Sequence, residues 1–157
     1  MTELELKING KKRTVDVNPH RTLRDVLRQE LNLTGTKKSC DSGYCGVCSV
    51  HIDGDVAKSC LTPIGKAEGK NIKTVEALSS DGDLSDVQQS FVDCFASQCG
   101  YCMPGFVMAA EDLLEDNPSP TEDEIRKGIN GNICRCTGYV KIVESISEAA
   151  DRREESV

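Results

Sequence analysis

The sequence predicts an α+β chain in two parts: a small mixed sheet crossed by one helix up to about residue 76, then a bundle of four helices. Three observations carry that prediction. Near the start, apolar residues alternate with polar ones, the period of a strand with one buried face. From Val87 onward they recur at three- and four-residue spacing, the period of an amphipathic helix. The nine cysteines fall into two groups, one in each part, with a single residue left over.

The elements follow in order. Leu4, Leu6 and Ile8 alternate in "LELKI", Asn9-Gly10 is a favoured two-residue turn, and Val15 and Val17 alternate in "RTVDV", which together make a β-hairpin. "TLRDVLRQEL" carries Leu23, Val26, Leu27 and Leu31 at helical spacing, with Thr22 as N-cap. "VCSVHI" and "VAKSCL" read as two more strands joined by "DGD". Residues 79–86, "SSDGDLSD", are polar and contain glycine, so they are read as the link between a first domain (residues 1–76) and a second (77–157). Beyond it, Val87, Phe91 and Phe95 mark one helix, and Pro104 opens another carrying Val107, Ala110, Leu113 and Leu114. Thr121 with Glu124 forms a capping box for a third, and Ile142, Val143, Ile146 and Ala150 line a fourth. The acidic run "EDLLEDNPSPTEDE" reads as a solvated helix end and turn, and "DRREESV" as a frayed tail.

Composition narrows the classes of function. Hydrophobic residues make up 38% of 157, aromatics 4%, and there is no Trp, so two cores would be thin and staples are expected. "MTELELKING" lacks the basic-then-apolar pattern of a signal peptide, and no apolar run approaches the roughly 18 residues of a membrane span. A cytoplasmic location is therefore expected, where thiols stay reduced and clustered cysteines bind metal. A net charge of −7 argues against a nucleic-acid partner, whose binding needs Lys and Arg on phosphates. The run "KKR" at 11–13 follows Asn9-Gly10 and reads as a solvated hairpin.

The first cysteine group is Cys40-x4-Cys45-x2-Cys48, with Cys60 after eleven intervening residues. That is the plant-type spacing for a [2Fe–2S] cluster, in which one loop wraps the cluster and a later segment adds the last thiolate. Gly43 and Gly46 permit the turns, and Ser42 and Ser49 are small enough to donate to sulfur. A four-cysteine zinc site is the competing reading, but it normally shows two short knuckles. The second group is Cys99-x2-Cys102 followed by Cys134-x-Cys136, on two interhelix loops that a bundle can bring to one end. Helix N-termini beside both loops would favour thiolate charge. On spacing alone, zinc and iron–sulfur both stay open for this group. His20 and His51 are the only histidines and read as ordinary surface or strand residues, and Cys94 as an apolar filler.

"CDSGYCGVCSV" with "SCL", then "QCGYCMPGF", then "GNICRCTGY" resemble the small iron–sulfur subunit of the molybdenum hydroxylase (xanthine oxidase) family, over nearly the whole chain. The resemblance implies a β-grasp, plant-ferredoxin-like first domain and a helical second domain particular to that family. It implies that Cys40, Cys45, Cys48 and Cys60 hold one [2Fe–2S] cluster, facing a flavin (FAD) on a medium subunit. Cys99, Cys102, Cys134 and Cys136 would hold the other, next to the molybdopterin cofactor of a large subunit. Gln98 falls at a family position that hydrogen-bonds the pterin, and the Cys136 sulfur would approach the pterin amino group. The implied assembly duplicates into a dimer of heterotrimers.

Met103, Ser39 and Val47 depart from the usual Thr, Gly and Ala, and none removes a ligand. Lys37, Lys38 and Arg135 stand beside the implied ligands, the lysines as exposed side chains and Arg135 turned toward a partner. No Ser–His–Asp set, phosphate loop or dinucleotide fingerprint occurs, so no catalytic residue is expected on this chain. The rival readings are a free-standing two-cluster ferredoxin, with a polar surface around its second cluster, and a colourless zinc-stabilised interaction module.

Overall fold

The computed structural model describes residues 1–79 and 82–155. Ser80 and Asp81 of the expected link, and Ser156 and Val157 at the end, lie outside the described residues. Strands β1 (Thr2–Ile8) and β2 (Lys11–Val17) form the hairpin, antiparallel with Thr2 opposite Val17. Asn9 and Gly10 both take positive φ (52° and 76°), as the two-residue turn between right-twisted strands requires. Helix α1 (Leu23–Gln29) starts at Thr22, whose hydroxyl accepts the Asp25 N–H at 3.2 Å.

Strands β3 (Ser49–Ile52) and β4 (Asp55–Lys58) are shorter than the apolar stretches suggest. A fifth strand, β5 (Asn71–Lys73), is not foreseen by the sequence pattern and sits in the middle of the sheet, whose order is β2-β1-β5-β3-β4. It runs parallel to β1 and antiparallel to β3. Leu4, Leu6, Ile8, Val15, Val17, Val50 and Ile72 turn inward against Leu23, Val26 and Leu27 of α1 to make the first core.

The second half holds α2 (Asp86–Asp93), α3 (Met103–Asp116), α4 (Glu122–Gly128) and α5 (Val140–Glu155). Thr121 and Glu124 form the expected capping box, and Ser85 with Gln88 forms a second one on α2. Phe95 does not continue α2. The helix closes in a Schellman motif: the Ala96 N–H bonds the Phe91 carbonyl (3.1 Å) and the Phe95 N–H the Val92 carbonyl (3.1 Å). Phe95 itself holds the left-handed position (φ 56°) that usually goes to glycine, and the residue is 83% exposed. Cys94, expected as buried filler, is half-buried at that helix end.

The two halves are welded together. Val47, from the loop before β3, is buried in the helical core with Phe106, Ile142 and Ile146. His51 on β3 is buried, and its Nε2 donates to the Met108 carbonyl of α3 at 2.8 Å. Asp112 of α3 accepts the Val56 N–H of β4 at 2.8 Å.

Two expectations about charge are corrected here. The acidic run is not wholly solvated: Asp112 caps an edge-strand amide, and Glu111 is buried, accepting from Ser85 Oγ at 2.8 Å. Nor does the chain fray at residue 151. Helix α5 continues to Glu155, with Arg152 on Asp93 (2.7 Å) and Arg153 on Glu111. Arg153→Met leaves a buried carboxylate without its cation and is expected to cost about 2 kcal/mol in urea unfolding. An unchanged midpoint would put residues 152–155 outside the cooperative fold.

Candidate metal centres

The first cysteine loop hangs between α1 and β3. Asp41, Gly43 and Gly46 all take positive φ (55°, 81° and 71°), which curls the loop so that its amides turn inward. The Ser42 and Cys45 N–H groups donate to Cys40 Sγ at 3.5 and 3.4 Å. The Ser42 amide, against the opposing effect of burial, brings the exposed Cys40 thiol down to about 6, with the Cys45 amide and thiol and the Ser42 hydroxyl assisting.

Arg24, buried on α1, anchors the loop by bonding Asp41 while also holding Asp25 at 2.7 Å. Burial raises the Asp25 carboxyl, but Arg24 and the Thr22 hydroxyl outweigh it and keep it below the usual carboxylate range. Cys48 and Cys60 are both buried, close enough for each thiol to feel the other. Burial first, and then the Cys48 thiol, push Cys60 up to about 11. Ser49 does not reach a sulfur: its hydroxyl donates to the Gly46 carbonyl at 2.8 Å and accepts from Lys58 Nζ at 3.0 Å.

The second group lies where α2, α3 and α5 approach one another. Cys102 is buried immediately before α3, and Cys99 is exposed three residues earlier. Across from them, Cys134 is buried and Cys136 exposed in the loop that leads to α5. The Cys136 and Cys99 sulfurs are 3.6 Å apart, while the Cys102 and Cys134 thiols are neighbours on the buried side. Burial, then the neighbouring Cys134 thiol, push Cys102 up to about 12. Burial opposes ionisation of Cys134 as well, but the Thr137 hydroxyl (3.1 Å) and the amides of Cys136 and Thr137 outweigh it and hold that thiol below its ordinary value. Cys136 is raised, chiefly by the Cys99 thiol.

All eight expected thiols are therefore gathered, in two groups of four, each with two sets of neighbours: Cys40 with the Cys45 amide, Cys48 beside Cys60, Cys99 with Cys136, and Cys102 beside Cys134. Among the described residues, no three His, Cys, Asp or Glu side chains close around one point as a single ion would need. A two-by-two arrangement suits a two-iron group, in which each iron takes two thiolates, better than a zinc ion that draws four sulfurs to itself. None of the nine cysteines is in a disulfide.

The two loops touch. The Ile133 N–H donates to the Cys45 carbonyl at 3.0 Å, and Asn132 Nδ2 to the Gly46 carbonyl at 3.2 Å. Tyr101, between Cys99 and Cys102, donates its hydroxyl to the Lys38 carbonyl. Sequence reasoning does not single out Tyr101, Asn132 or Ile133, because nothing local marks a partner so distant along the chain. It also misses Thr137, although the criterion that picks out Ser42 and Ser49, a small hydroxyl beside a cysteine, would find it. Gln98 is exposed next to Cys99, as are Arg135 and Lys38, while Lys37 is half-buried.

Two family models match in tandem: a "2Fe-2S iron-sulfur cluster binding domain" over residues 6–79 and a "[2Fe-2S] binding domain" over 74–147. The chain is 48% identical to the nicotine 6-hydroxylase small subunit of Paenarthrobacter nicotinovorans, covering 94% of this chain and 88% of that one. It belongs to the small iron–sulfur subunits of the molybdenum hydroxylase family.

As a member of that family it is part of an oxidoreductase, in the group that includes the xanthine dehydrogenases. The structure of quinoline 2-oxidoreductase from Pseudomonas putida 86 contains a chain that superposes with a TM-score of 0.94, at 42% identity, over 98% of this subunit and 96% of that chain. The aldehyde oxidoreductase of Megalodesulfovibrio gigas is 38% identical over 96% of this subunit, which corresponds to only 17% of that longer chain. The same fold thus occurs both as a separate subunit and as a section of a larger polypeptide. No described helix of this subunit is long and apolar enough to cross a membrane.

Proposed function

We propose that this chain is the electron-transfer member of its complex and carries no catalytic residue of its own. Cys40, Cys45, Cys48 and Cys60 hold one [2Fe–2S] group, and Cys99, Cys102, Cys134 and Cys136 hold the other, with the domain division at residues 76 and 77. Each such group, when bound, takes up one electron at a time, which suits it to divide the pair released by a two-electron oxidation. The chain's own residues bind both groups, supply amide and hydroxyl donors to their sulfurs, and keep the two loops in register.

The observation that carries this reading is the direct contact of the two thiol loops, through Ile133 on Cys45 (3.0 Å) and Asn132 on Gly46 (3.2 Å). A protein that merely stored two separate clusters has no need to join their loops.

Partners follow from the same reading. Cys99, Cys136 and Gln98 are exposed together, so they are the groups offered to the molybdopterin of a large subunit, with Gln98 and Cys136 toward the pterin. The first loop exposes Cys40 and Tyr44 and would meet FAD on a medium subunit, in an assembly that duplicates as a dimer of heterotrimers in the cytoplasm. Around the second group, Phe95 is 83% and Ile133 49% exposed, an apolar surface that a freely diffusing ferredoxin would not favour. Among the described residues, the groove lined by Phe91, Phe95, Met103 and Val107 has Gln88 and Ser97 as its polar side chains and no carboxylate, imidazole or thiol.

The test is to purify the chain with its natural partners, measure iron, zinc and molybdenum, and record EPR after reduction. Two distinct [2Fe–2S] signals, about four irons per small chain, and molybdenum in a larger partner are expected. Two clusters in a partner-free monomer would replace this reading with the lone ferredoxin, and zinc in place of iron would overturn both.

A further inference from the structure

Of the contacts made to sulfur, the one from the Thr137 hydroxyl is held by a closed set of neighbours. A hydroxyl has one proton and two lone pairs, and its proton normally rotates to suit its surroundings. Here the Tyr139 N–H donates into Thr137 Oγ1 at 3.2 Å, so the Thr137 proton is left to point at Cys134 Sγ, 3.1 Å away.

The backbone enforces the arrangement. Gly138 and Tyr139 both take positive φ (64° and 70°), which folds the chain back so that the Tyr139 amide faces the Thr137 side chain. For a bulky residue such as tyrosine that conformation is sterically costly and persists only where its surroundings over-determine it. Two contacts do so. The Tyr139 hydroxyl accepts the Cys134 N–H at 3.1 Å, and its ring meets the edge of fully buried Phe106, with centroids 6.0 Å apart and planes at 70°. The ring of contacts Cys134–Thr137–Tyr139–Cys134 is closed, and its consequence is a fixed O–H dipole aimed at one sulfur on the buried side of the site.

We propose that Thr137 is a positioning residue that sets the reduction potential of the group held by Cys99, Cys102, Cys134 and Cys136, by donating its Tyr139-aimed hydroxyl to the Cys134 sulfur. The inference rests on those four cysteines being the ligands. The physical reason is electrostatic: a donor to a ligand sulfur stabilises the more negative, reduced state, so it raises the potential, and the sulfur that receives it, on Cys134, is buried, where such a bond is strongest.

The experiment is a reductive titration of the assembled complex followed by EPR, on the parent, Thr137→Val, Thr137→Ala and Thr137→Ser. Thr137→Val and Thr137→Ala are expected to move the midpoint of one of the two signals to lower potential and leave the other in place. Thr137→Ser keeps the hydroxyl and restores the parental value. Unmoved midpoints in both hydroxyl-free variants, or an equal shift of both signals, would overturn the proposal. So would loss of iron from both of them with Thr137→Ser intact, since the hydroxyl would then hold the loop together and not tune the group. Iron content in Cys134→Ala separates the two levels of inference: four irons retained there would refute the ligand assignment itself, whatever Thr137 does.

Discussion

Gly105→Ala is expected to lower the stability of the chain by about 2 kcal/mol or more, although alanine is the better helix former. Gly105 lies in the first turn of α3, where it faces the loop of the other half. A methyl group there would stand 2.2 Å from the Gly46 carbonyl oxygen, 2.9 Å from its carbon and 3.0 Å from Val47 Cα. Those are backbone atoms and cannot swing aside.

The loop has no room to retreat either. Gly46 is also hemmed in by Asn132 Nδ2 and the Gly131 carbonyl, each of which would lie 2.5 Å from a Cβ at Gly46. Helix propensity favours alanine by about 1 kcal/mol, while forcing a methyl into a closed contact costs roughly 1–3 kcal/mol and sometimes more. The clash wins. Thermal unfolding measures the loss, and Gly128→Ala is the control, since the atoms nearest a Cβ there belong to the Leu113 side chain (3.0 Å), which can turn aside. If Gly105→Ala proved as stable as the parent, the contact between α3 and the first thiol loop would be soft, and the rigid joining of the two loops would fail as a structural claim.

The second large effect is on metal content. Cys134→Ala and Cys48→Ala are each expected to reduce iron from about four to about two per chain and to abolish one EPR signal, a different one in each case. Cys94→Ala should retain both, because Cys94 sits at the end of α2, outside either set of thiol pairs. The structural consequences differ. Cys134 and Cys102 belong to the helical core with Phe106 and Ile142, so losing that group removes a staple from a core with few large side chains. The helical half of Cys134→Ala is therefore expected to unfold at lower temperature, which far-UV circular dichroism reads directly. Loss of both signals from either single substitution would mean that the two sites do not load independently. Retention of both would mean that the thiol pairs are not ligand pairs.

Much of this architecture is legible in the order of residues alone, and the legible parts share a cause. The hairpin over residues 2–17, the Thr22 cap and the Thr121–Glu124 capping box each depend on residues within a few positions of one another, so their physical chemistry is written in consecutive letters. The failures share a cause too. Strand β5 is three residues long with one buried side chain, Ile72, and exists because β1 and β3 offer it hydrogen bonds from both sides. Phe95 continues the apolar period of Val87 and Phe91, yet α2 has already closed, with an aromatic residue where glycine would have signalled the end. Glu111 and Arg153 look like solvent-facing charges, and only the packing of α3 beside α5 buries the carboxylate and sets the half-buried Arg153 on it.

The sequence by itself determined the two-part fold, the family, and which cysteines share a loop, since the spacings Cys40-x4-Cys45-x2-Cys48, Cys99-x2-Cys102 and Cys134-x-Cys136 are local facts. Only the tertiary structure decided which thiol faces which across the loops, that the Thr137 hydroxyl is aimed at Cys134, and that the two loops meet through Gly46, Gly105 and Asn132. Asn132 and Gly46 are 86 residues apart along the chain. No local preference acts over such a distance, so a contact of that kind forms only when the two cores close on each other and leave their backbones no other place to stand.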